Sequence, residues 1–445
     1  MNTEEYLTTL TQQIRCKAAR DSVSEEIHQH IEDQIEAYLS CGTSPEEAEK
    51  LAIADMGDPI ETGAALDQIH RPKMAWPLLL GLVAFSLIGL LVQQYLSVRF
   101  PENFSPLIPS RIAGSLLFLL FAMGICFLDY TQIAARARFL YLGLCLILLL
   151  LPYTSLTLMV NGAQTYLALG GFVMNLVLLA VLFAPLYGAI VYRYHNQSYQ
   201  GILKCVLWMV PAVFVILRMP SSMYAFLFLC TCFATLIFAV MQNWFQVKKS
   251  RAFLLLGALF SLLPLTVVFL YFTVFASYQK ERLLFYLSPY PGTVFSYRLQ
   301  MIHQLLGGKT SALTAATSGG EPALTYQSYH LTYLCASMGV FALILLICGL
   351  CCLILNCFRI TLKQQNRLGQ LVGFSSAFIL ALQILIYLAV NLGLGNVSLI
   401  FESIYCPFFS PGYSGALSSG ILFGIVLSIC RFQNIKREPH FVLKN

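Results

Sequence analysis

The sequence predicts an all-α, polytopic membrane protein: about ten transmembrane helices behind a small helical, cytoplasmic N-terminal domain. Three observations predict it. Of the 445 residues, 58% are hydrophobic and 11% charged, where a soluble domain carries about 25% charged residues. Ten apolar segments can be marked between Met74 and Arg431. The charge is split: residues 1–73 hold 15 of the 21 acids and 6 of the 27 bases. An acidic head is thus followed by a basic, apolar body in which Asp129 is the only aspartate.

The head, residues 1–73, reads as three or four short helices. Ser44-Pro45-Glu46-Glu47 and Asp58-Pro59-Ile60-Glu61 have the form of capping boxes with proline at the first helical position. Gly42 and Gly57 stop the helices before them. Ile27, Ile31, Ile35 and Tyr38 recur at helical spacing and predict a face that closes a small core or docks a partner helix. Glu25, Glu32, Asp33 and Glu36 read as a solvated face. His28 and His30, two apart on a helix, point to different faces and do not form a metal pair. Met1 to Ile14 is polar and acidic rather than a cleavable leader, so insertion is expected at the first span.

His70-Arg71-Pro72-Lys73-Met74-Ala75-Trp76 is the entry to the membrane: proline ends a helix, the basic residues mark one side and tryptophan sits at the interface. The expected spans are Trp76–Leu96, Ile112–Leu128, Phe139–Val160, Tyr166–Val191, Cys205–Leu217, Ser222–Met241, Phe253–Phe275, Thr332–Cys357, Leu371–Val390 and Gly415–Cys430. Together with their loops they fill residues 74–432, leaving 433–445 as a tail. Placing the head inside puts Arg136, Arg138, Arg193, Lys204, Lys248, Lys249, Arg251, Arg359, Lys363 and Arg367 in inner loops. Arg99, Arg111 and Arg218 fall in short outer ones. This is the positive-inside pattern, with both termini in the cytoplasm.

One connection is long. Residues 277–331, between the seventh and eighth spans, would lie outside and hold Lys280, Glu281, Arg282, Arg298, Lys309 and Glu321, a net charge of +2. Long loops on a rigid scaffold commonly carry function. Before the last span, Pro407-Phe408-Phe409-Ser410-Pro411-Gly412-Tyr413-Ser414-Gly415 cannot be regular helix. It reads either as a plain turn or as irregular backbone lining a cavity, where the free N–H groups of a helix start make an anion site. Gln383, Asn391 and Asn396 are polar groups near the outer end of the ninth span and are expected to face the bundle interior. Most of the 14 cysteines lie inside apolar spans as small hydrophobes, with neither disulfide nor zinc spacing.

Asn391-Leu392-Gly393-Leu394, then Pro407-Phe408-Phe409-Ser410, then Gly412-Tyr413-Ser414-Gly415 and a final span together resemble the C-terminal signature of the SEDS family (shape, elongation, division and sporulation). FtsW, RodA and SpoVE belong to it. Tyr278-Gln279-Lys280-Glu281-Arg282 with Leu287-Ser288-Pro289 is similar to that family's exit from its seventh span. The resemblance covers about residues 75–432. Separately, His30–Lys73 resembles a cytoplasmic prefix domain found ahead of several multi-spanning proteins of Gram-positive bacteria, permeases among them.

The SEDS resemblance implies a protein of the bacterial cytoplasmic membrane in cell division or cell shape. It implies a peptidoglycan glycosyltransferase that polymerises lipid II beside a class B transpeptidase-type partner. The surroundings would be membrane lipids, with no nucleic acid. It identifies no cofactor and leaves room for a divalent cation. A sugar hydroxyl attacks an anomeric carbon and a lipid diphosphate leaves, which calls for a carboxylate base and for cations or N–H donors. The substrate-binding residues implied are Arg282, Tyr297, Arg298, Lys309, Asn391, Pro407, Ser410, Gly412 and Ser414. The family's loop aspartate has no counterpart in Pro289-Tyr290-Pro291-Gly292-Thr293-Val294-Phe295-Ser296-Tyr297, and a second falls at about Ser328. Glu281 and Glu321 are the substitutes on offer. Three readings stay open: a polymerase, a non-catalytic carrier-binding or scaffold protein of the wall machinery, and a transporter or flippase. Spans nearly free of ionisable groups speak against the last.

Overall fold

The computed structural model describes residues 1–69, 71–101, 104, 108–160, 163–219, 221–273, 280, 294–308, 328–394 and 404–433. The chain opens with four helices, α1 (Thr3–Gln13), α2 (Lys17–Ser40), α3 (Pro45–Asp55) and α4 (Pro59–Ile69). Asn2 caps α1 by accepting from the Glu5 amide at 2.8 Å, and the Glu5 carboxylate accepts from the Asn2 amide at 3.2 Å. α3 and α4 begin at the expected prolines, and Gly42 and Gly57 take left-handed φ values of 88° and 77°. One expectation fails locally, because the Ser44 side chain makes no capping bond. With Pro45 at N1 and Glu46 and Glu47 in the first turn, the helix still has its start signals. The predicted α2 face does close a core. Ile31 is fully buried and Ile27, Ile35 and Tyr38 pack beside it against Tyr6, Leu10, Val23 and Ala52.

The body follows as α5 (Trp76–Arg99), α6 (Ile108–Phe127), α7 (Tyr130–Ala135), α8 (Ala137–Leu150), a three-stranded sheet, α9 (Phe183–Arg193), α10 (Tyr199–Leu207), α11 (Met209–Arg218), α12 (Ser222–Met241) and α13 (Lys249–Thr273). Then come α14 (Val294–Leu306), α15 (His330–Met338), α16 (Val340–Leu362), α17 (Arg367–Asn391) and α18 (Tyr413–Arg431). Among the described residues eight helical segments are long and apolar enough to cross a membrane. The shorter apolar α8 and its following turn, and α13 with Pro264 inside it, occupy the third and seventh expected positions. The chain is a polytopic, mainly helical membrane protein. Leu176–Arg193, α17 and α18 are 72%, 72% and 78% buried and form its centre, whereas α5, α6 and α16 turn most of their surface outward. α18 lies directly on α6, where a side chain at Gly420 would meet the Phe118 carbonyl at 2.6 Å.

Four expected spans need correction. The third and fourth, Phe139–Val160 and Tyr166–Val191, do not run as helices throughout. Between them stand β1 (Thr157–Val160), β2 (Ala163–Leu169) and β3 (Phe172–Asn175), an antiparallel sheet in that order. Mean hydropathy is blind to period; the local signals were the β-branched and aromatic residues and the Asn161-Gly162 and Gly170-Gly171 pairs. The fifth span is two helices meeting at Trp208, with Pro211 in the second. The eighth divides at Gly339, whose φ of 85° ends α15 before α16 starts.

All 14 cysteines are free thiols. The head is tied to the body where the Lys73 amide donates to the Arg431 carbonyl and where Phe432 packs against both cores.

Candidate functional site

Buried polar groups stand at both ends of the body; those singled out from sequence lie at the end away from the head. The turn before α18 is their centre. Cys406 to Ser410 folds back on itself: the Ser410 amide donates to the Cys406 carbonyl at 3.0 Å, and the Cys406 amide donates to Ser410 Oγ at 3.0 Å. Phe408 takes a left-handed φ of 74°, a strained conformation for an aromatic residue. α5 holds it there. Gln93 Nε2 donates to the Phe408 and Phe409 carbonyls at 3.1 and 2.8 Å. One turn earlier on the same face, any side chain at Gly89 would sit 2.2 Å from the Phe408 oxygen, so the helix can approach only as glycine. Gly412, at φ 135°, then starts α18, and Ser414 is 1% exposed with no hydrogen-bond partner for its Oγ among the described residues.

Asn391 ends α17 and organises the neighbouring helix start. Its Oδ1 accepts from the Leu331 amide at 3.0 Å, the Thr332 amide at 3.2 Å and Thr332 Oγ1 at 3.3 Å. Its Nδ2 donates to the carbonyls of Ser328 and Tyr387 at 2.8 and 2.9 Å. Thr332 Oγ1 also donates to the Asn391 carbonyl at 2.8 Å. The amide is therefore fully engaged within the chain, serving as a side-chain cap for α15 delivered from another helix.

The long connection is helical in its described middle. α14 buries Met301, Ile302 and Leu305 against the body, and His303 Nε2 lies 3.1 Å from the Gly393 carbonyl. Gly393 needs to be glycine twice over: its φ is 64°, and a side chain would meet the His303 ring at 3.0 Å. Tyr297 and Arg298 lie in the N-terminal half of this helix. α14 is thereby seated beside the end of α17, next to Asn391.

Of the residues singled out from sequence, Asn391, Pro407, Ser410, Gly412 and Ser414 fall at this one end, and α14 brings the backbone of Tyr297 and Arg298 there. Glu281, Arg282, Lys309 and Glu321 lie outside the described residues. Ser328, where the second family aspartate would fall, is 5% exposed and its carbonyl accepts from Asn391. The one described carboxylate of the body, Asp129, lies at the opposite end, where it caps α7 by accepting from the Thr131 amide at 2.9 Å. Among the described residues no group of three His, Cys, Asp or Glu side chains could hold a metal ion.

Sequence reasoning passed over Gln93, Tyr224, His330 and Tyr405, and placed Arg111 only as an outer-loop charge. Arg111 donates to the Gln93 carbonyl at 3.3 Å. His330 is 1% exposed and lies 5.3 Å from the Phe104 ring, and the Tyr405 amide donates to the Tyr224 hydroxyl at 3.4 Å. A signal existed for Gln93, a polar residue inside an apolar span. None existed for the aromatic residues, whose roles arise from tertiary packing.

No protein-family model matches this sequence, and no curated protein matches it. Solved structures do. A chain from a peptidoglycan synthase complex, in a structure concerned with coordinating polymerization and crosslinking, superposes with a TM-score of 0.64 at 23% identity. That match covers 80% of this chain and 98% of the other. Rod shape determining protein RodA of Thermus thermophilus superposes at 0.53 with 18% identity, covering 82% and 98%. Its aspartate-to-alanine mutant superposes at 0.54 with 18% identity, covering 82% and 99%. The matched chains are taken in almost whole, so about a fifth of this chain is additional to the shared architecture. This membrane protein has the fold of RodA and of the peptidoglycan synthase chain.

Proposed function

We propose that this protein is a SEDS-like glycosyltransferase of the bacterial cytoplasmic membrane, acting on the lipid-linked peptidoglycan precursor lipid II. The observation that carries the reading is the coincidence of fold and site. A RodA-like bundle of this extent gathers the Asn391, Ser410 and Ser414 segments and the α14 helix at one end. With the head and both termini in the cytoplasm, as the distribution of basic residues favours, that end faces outward, where such a precursor would be presented.

The work divides by residue type. Arg282, Arg298 and Lys309 supply cationic partners for a diphosphate leaving group. The N–H groups at the start of α18 and the Ser414 hydroxyl supply neutral donors. Asn391, Ser410 and Pro407 shape the turn and the start of α15 and act through position. Glu281 or Glu321 serves as the base. A divalent cation would assist at the diphosphate. A class B transpeptidase-type protein is the working partner, and the N-terminal domain, residues 1–73, is the cytoplasmic attachment to the machinery of division or shape.

A second reading has its own support. The stretch from Pro289 to Tyr297 lacks an aspartate, which favours a relative that binds the lipid carrier or scaffolds the machinery without turnover. Purified full-length protein incubated with lipid II separates the two. Glycan polymer that disappears in Glu281→Gln or Glu321→Gln supports the enzyme. Saturable lipid II binding with no polymer, alone or with a transpeptidase, supports the non-catalytic relative. Neither binding nor polymer would remove both.

A further inference from the structure

The sheet between α8 and α9 has the wrong surface for water. Its inward face packs on the body in part: Thr165 is 7% exposed, Leu167 packs on the core, and the Phe172 ring lies 5.1 Å from that of Tyr413, while Leu169 and Phe172 at the β2–β3 turn remain 48% and 55% exposed. A sheet with one wet face alternates, apolar inside and polar outside. Here the outward positions, read from the register, are Leu158, Met159, Gln164, Tyr166, Ala168, Val173 and Asn175, the last of which accepts from the Val177 amide at 3.0 Å. The register shifts between Leu158 and Met159, where Thr165 is the extra residue on β2 between their partners Tyr166 and Gln164. Leu158, Met159 and Val173 are 47%, 65% and 46% exposed.

The surrounding sequence carries no charge at all. Between Arg138 and Arg193 there is no Asp, Glu, Lys, Arg or His. An element standing in water would not be expected to go so long without one, since exposed surfaces are rich in such residues.

The lengths of the flanking helices set the depth. α8 has 14 residues and its following 3-10 turn, Leu151–Tyr153, has 3, which together advance about 27 Å. Leu176–Arg193, which returns, advances about 30 Å. The hydrocarbon core of a bilayer is about 30 Å thick. With Arg136, Arg138 and Arg193 held at one interface, both helices end at the opposite edge of the hydrocarbon and not beyond it. The sheet therefore starts at the boundary. It cannot lie deeper either, because β1 is an edge strand whose outer N–H and C=O groups need water or headgroups.

We propose that this sheet is an interfacial lipid-docking element, its outward face (Leu158, Met159, Tyr166 and Val173) occupied by the acyl chains of bilayer lipids on the side away from the head. The inference is independent of the glycosyltransferase reading. In the folded protein the sheet joins lipid to site: its outward face meets the bilayer while Phe172, on the inward face, touches Tyr413 at the start of α18.

Tryptophan scanning tests it. Met159→Trp and Val173→Trp are made in the full-length protein and placed in lipid nanodiscs, with the wild type (Trp76, Trp208 and Trp244) subtracted. Lipids brominated near the headgroup end of the acyl chain are expected to reduce the added fluorescence about twofold or more. Lipids brominated near the terminal methyl should act more weakly, as befits an interfacial indole. Aqueous iodide should have little effect. An added tryptophan quenched by iodide and untouched by brominated lipid puts the face in water and overturns the proposal. One shielded from both quenchers shows a protein partner or a second copy on this face, which overturns it equally. If one variant does not fold, the other carries the same test.

Discussion

The head and the body handle buried polarity in opposite ways. In the head the polar anchor is a charge: Asp67, 5% exposed, accepts from the Arg15 amide at 2.8 Å and pairs with the Arg15 and Arg71 guanidinium groups at 3.7 and 3.4 Å. In the body the described buried polar residues are Ser, Thr, Asn and Gln, with His330 the only ionisable one. The difference follows from the surroundings. A head carboxylate has water close by and two arginines reaching in from solvent. A carboxylate inside a lipid-facing bundle would carry a large desolvation cost without such help. Amides and hydroxyls can bind several backbone groups at once at no charge, and Asn391 and Gln93 are used in this way. The comparison predicts that the largest single-residue effects lie in the body and that damage to the head stays in the head.

Replacing Asn391 should show the largest effect. Asn391→Leu keeps the volume nearly constant but withdraws five side-chain hydrogen bonds. It leaves the Leu331 and Thr332 amides and the Ser328 carbonyl buried without that partner. Each unsatisfied buried group costs about 1–3 kcal/mol, so the total is on the order of 3–5 kcal/mol. The midpoint of thermal unfolding in detergent should fall sharply, and with it any lipid II binding or polymerisation. Asn391→Asp keeps the acceptor but turns a buried carboxylate oxygen on the Ser328 and Tyr387 carbonyls, and should be at least as damaging near neutral pH. A leucine variant that melts with the wild type would show that α15 does not depend on this cap.

The body was the more legible region in outline and the less legible in detail. Apolar runs long enough to span a membrane report themselves through composition, so α12 was found to the residue and α5 and α17 to within about a turn of helix. The sheet was missed because Thr157 to Asn175 is uncharged and its apolar residues continue the flanking helices, so its two ends were absorbed into the neighbouring spans, and composition says nothing about period. In the candidate site, Pro407, Ser410 and Gly412 announce an irregular backbone, because prolines and glycines cannot continue a helix. Asn391 stood out as polar in an apolar span, though its role as a cap depends on α15 arriving beside it. Gly89 and Gln93 do their work against Phe408, more than three hundred residues away in sequence, and no local pattern points to such a pair. The head was read from its own grammar, the prolines at helix starts and glycines at helix ends, but Asp67 drew no notice because its partners are set by the α1–α2 turn meeting α4.

Asp67→Asn should rank second. It leaves an acceptor for the Arg15 amide but removes both charge pairs, and hydrogen bonds to charged groups contribute about 1.5–3 kcal/mol each when buried. Because both arginine side chains are half or more exposed, screening by water places the loss toward the lower end, at about 1–2 kcal/mol. Hydrogen exchange on the full-length protein should show faster exchange in α1 and α4 and unchanged protection in α17 and α18. Loss of protection spreading into α18 would show that the contacts at Arg431 and Phe432 couple the two regions, and the contrast between them would need redrawing.

The smallest effect should come from Glu49, whose carboxylate accepts from the Thr3 amide at 3.0 Å and from Thr3 Oγ1 at 2.7 Å. These bonds hold its pKa below the ordinary carboxylate value. A folded-state pKa that is depressed contributes stability that is present in full above the unfolded value, about 4.3. That contribution is lost as the pH falls through the lower folded value. The side chain is partly exposed and its hydrogen bonds go to Thr3 alone, so the change should be confined to the start of α1. The Thr3 amide should exchange slowly near neutral pH and lose that protection only in acid below the ordinary carboxylate range, after correction for intrinsic exchange. Glu49→Gln, which cannot ionise, should remove the pH dependence while the rest of the head, and Asp67 with it, stays as protected as before. A Thr3 transition that persists in Glu49→Gln would assign it instead to the first-turn carboxylates Glu4 and Glu5, the second of which closes the cap with Asn2.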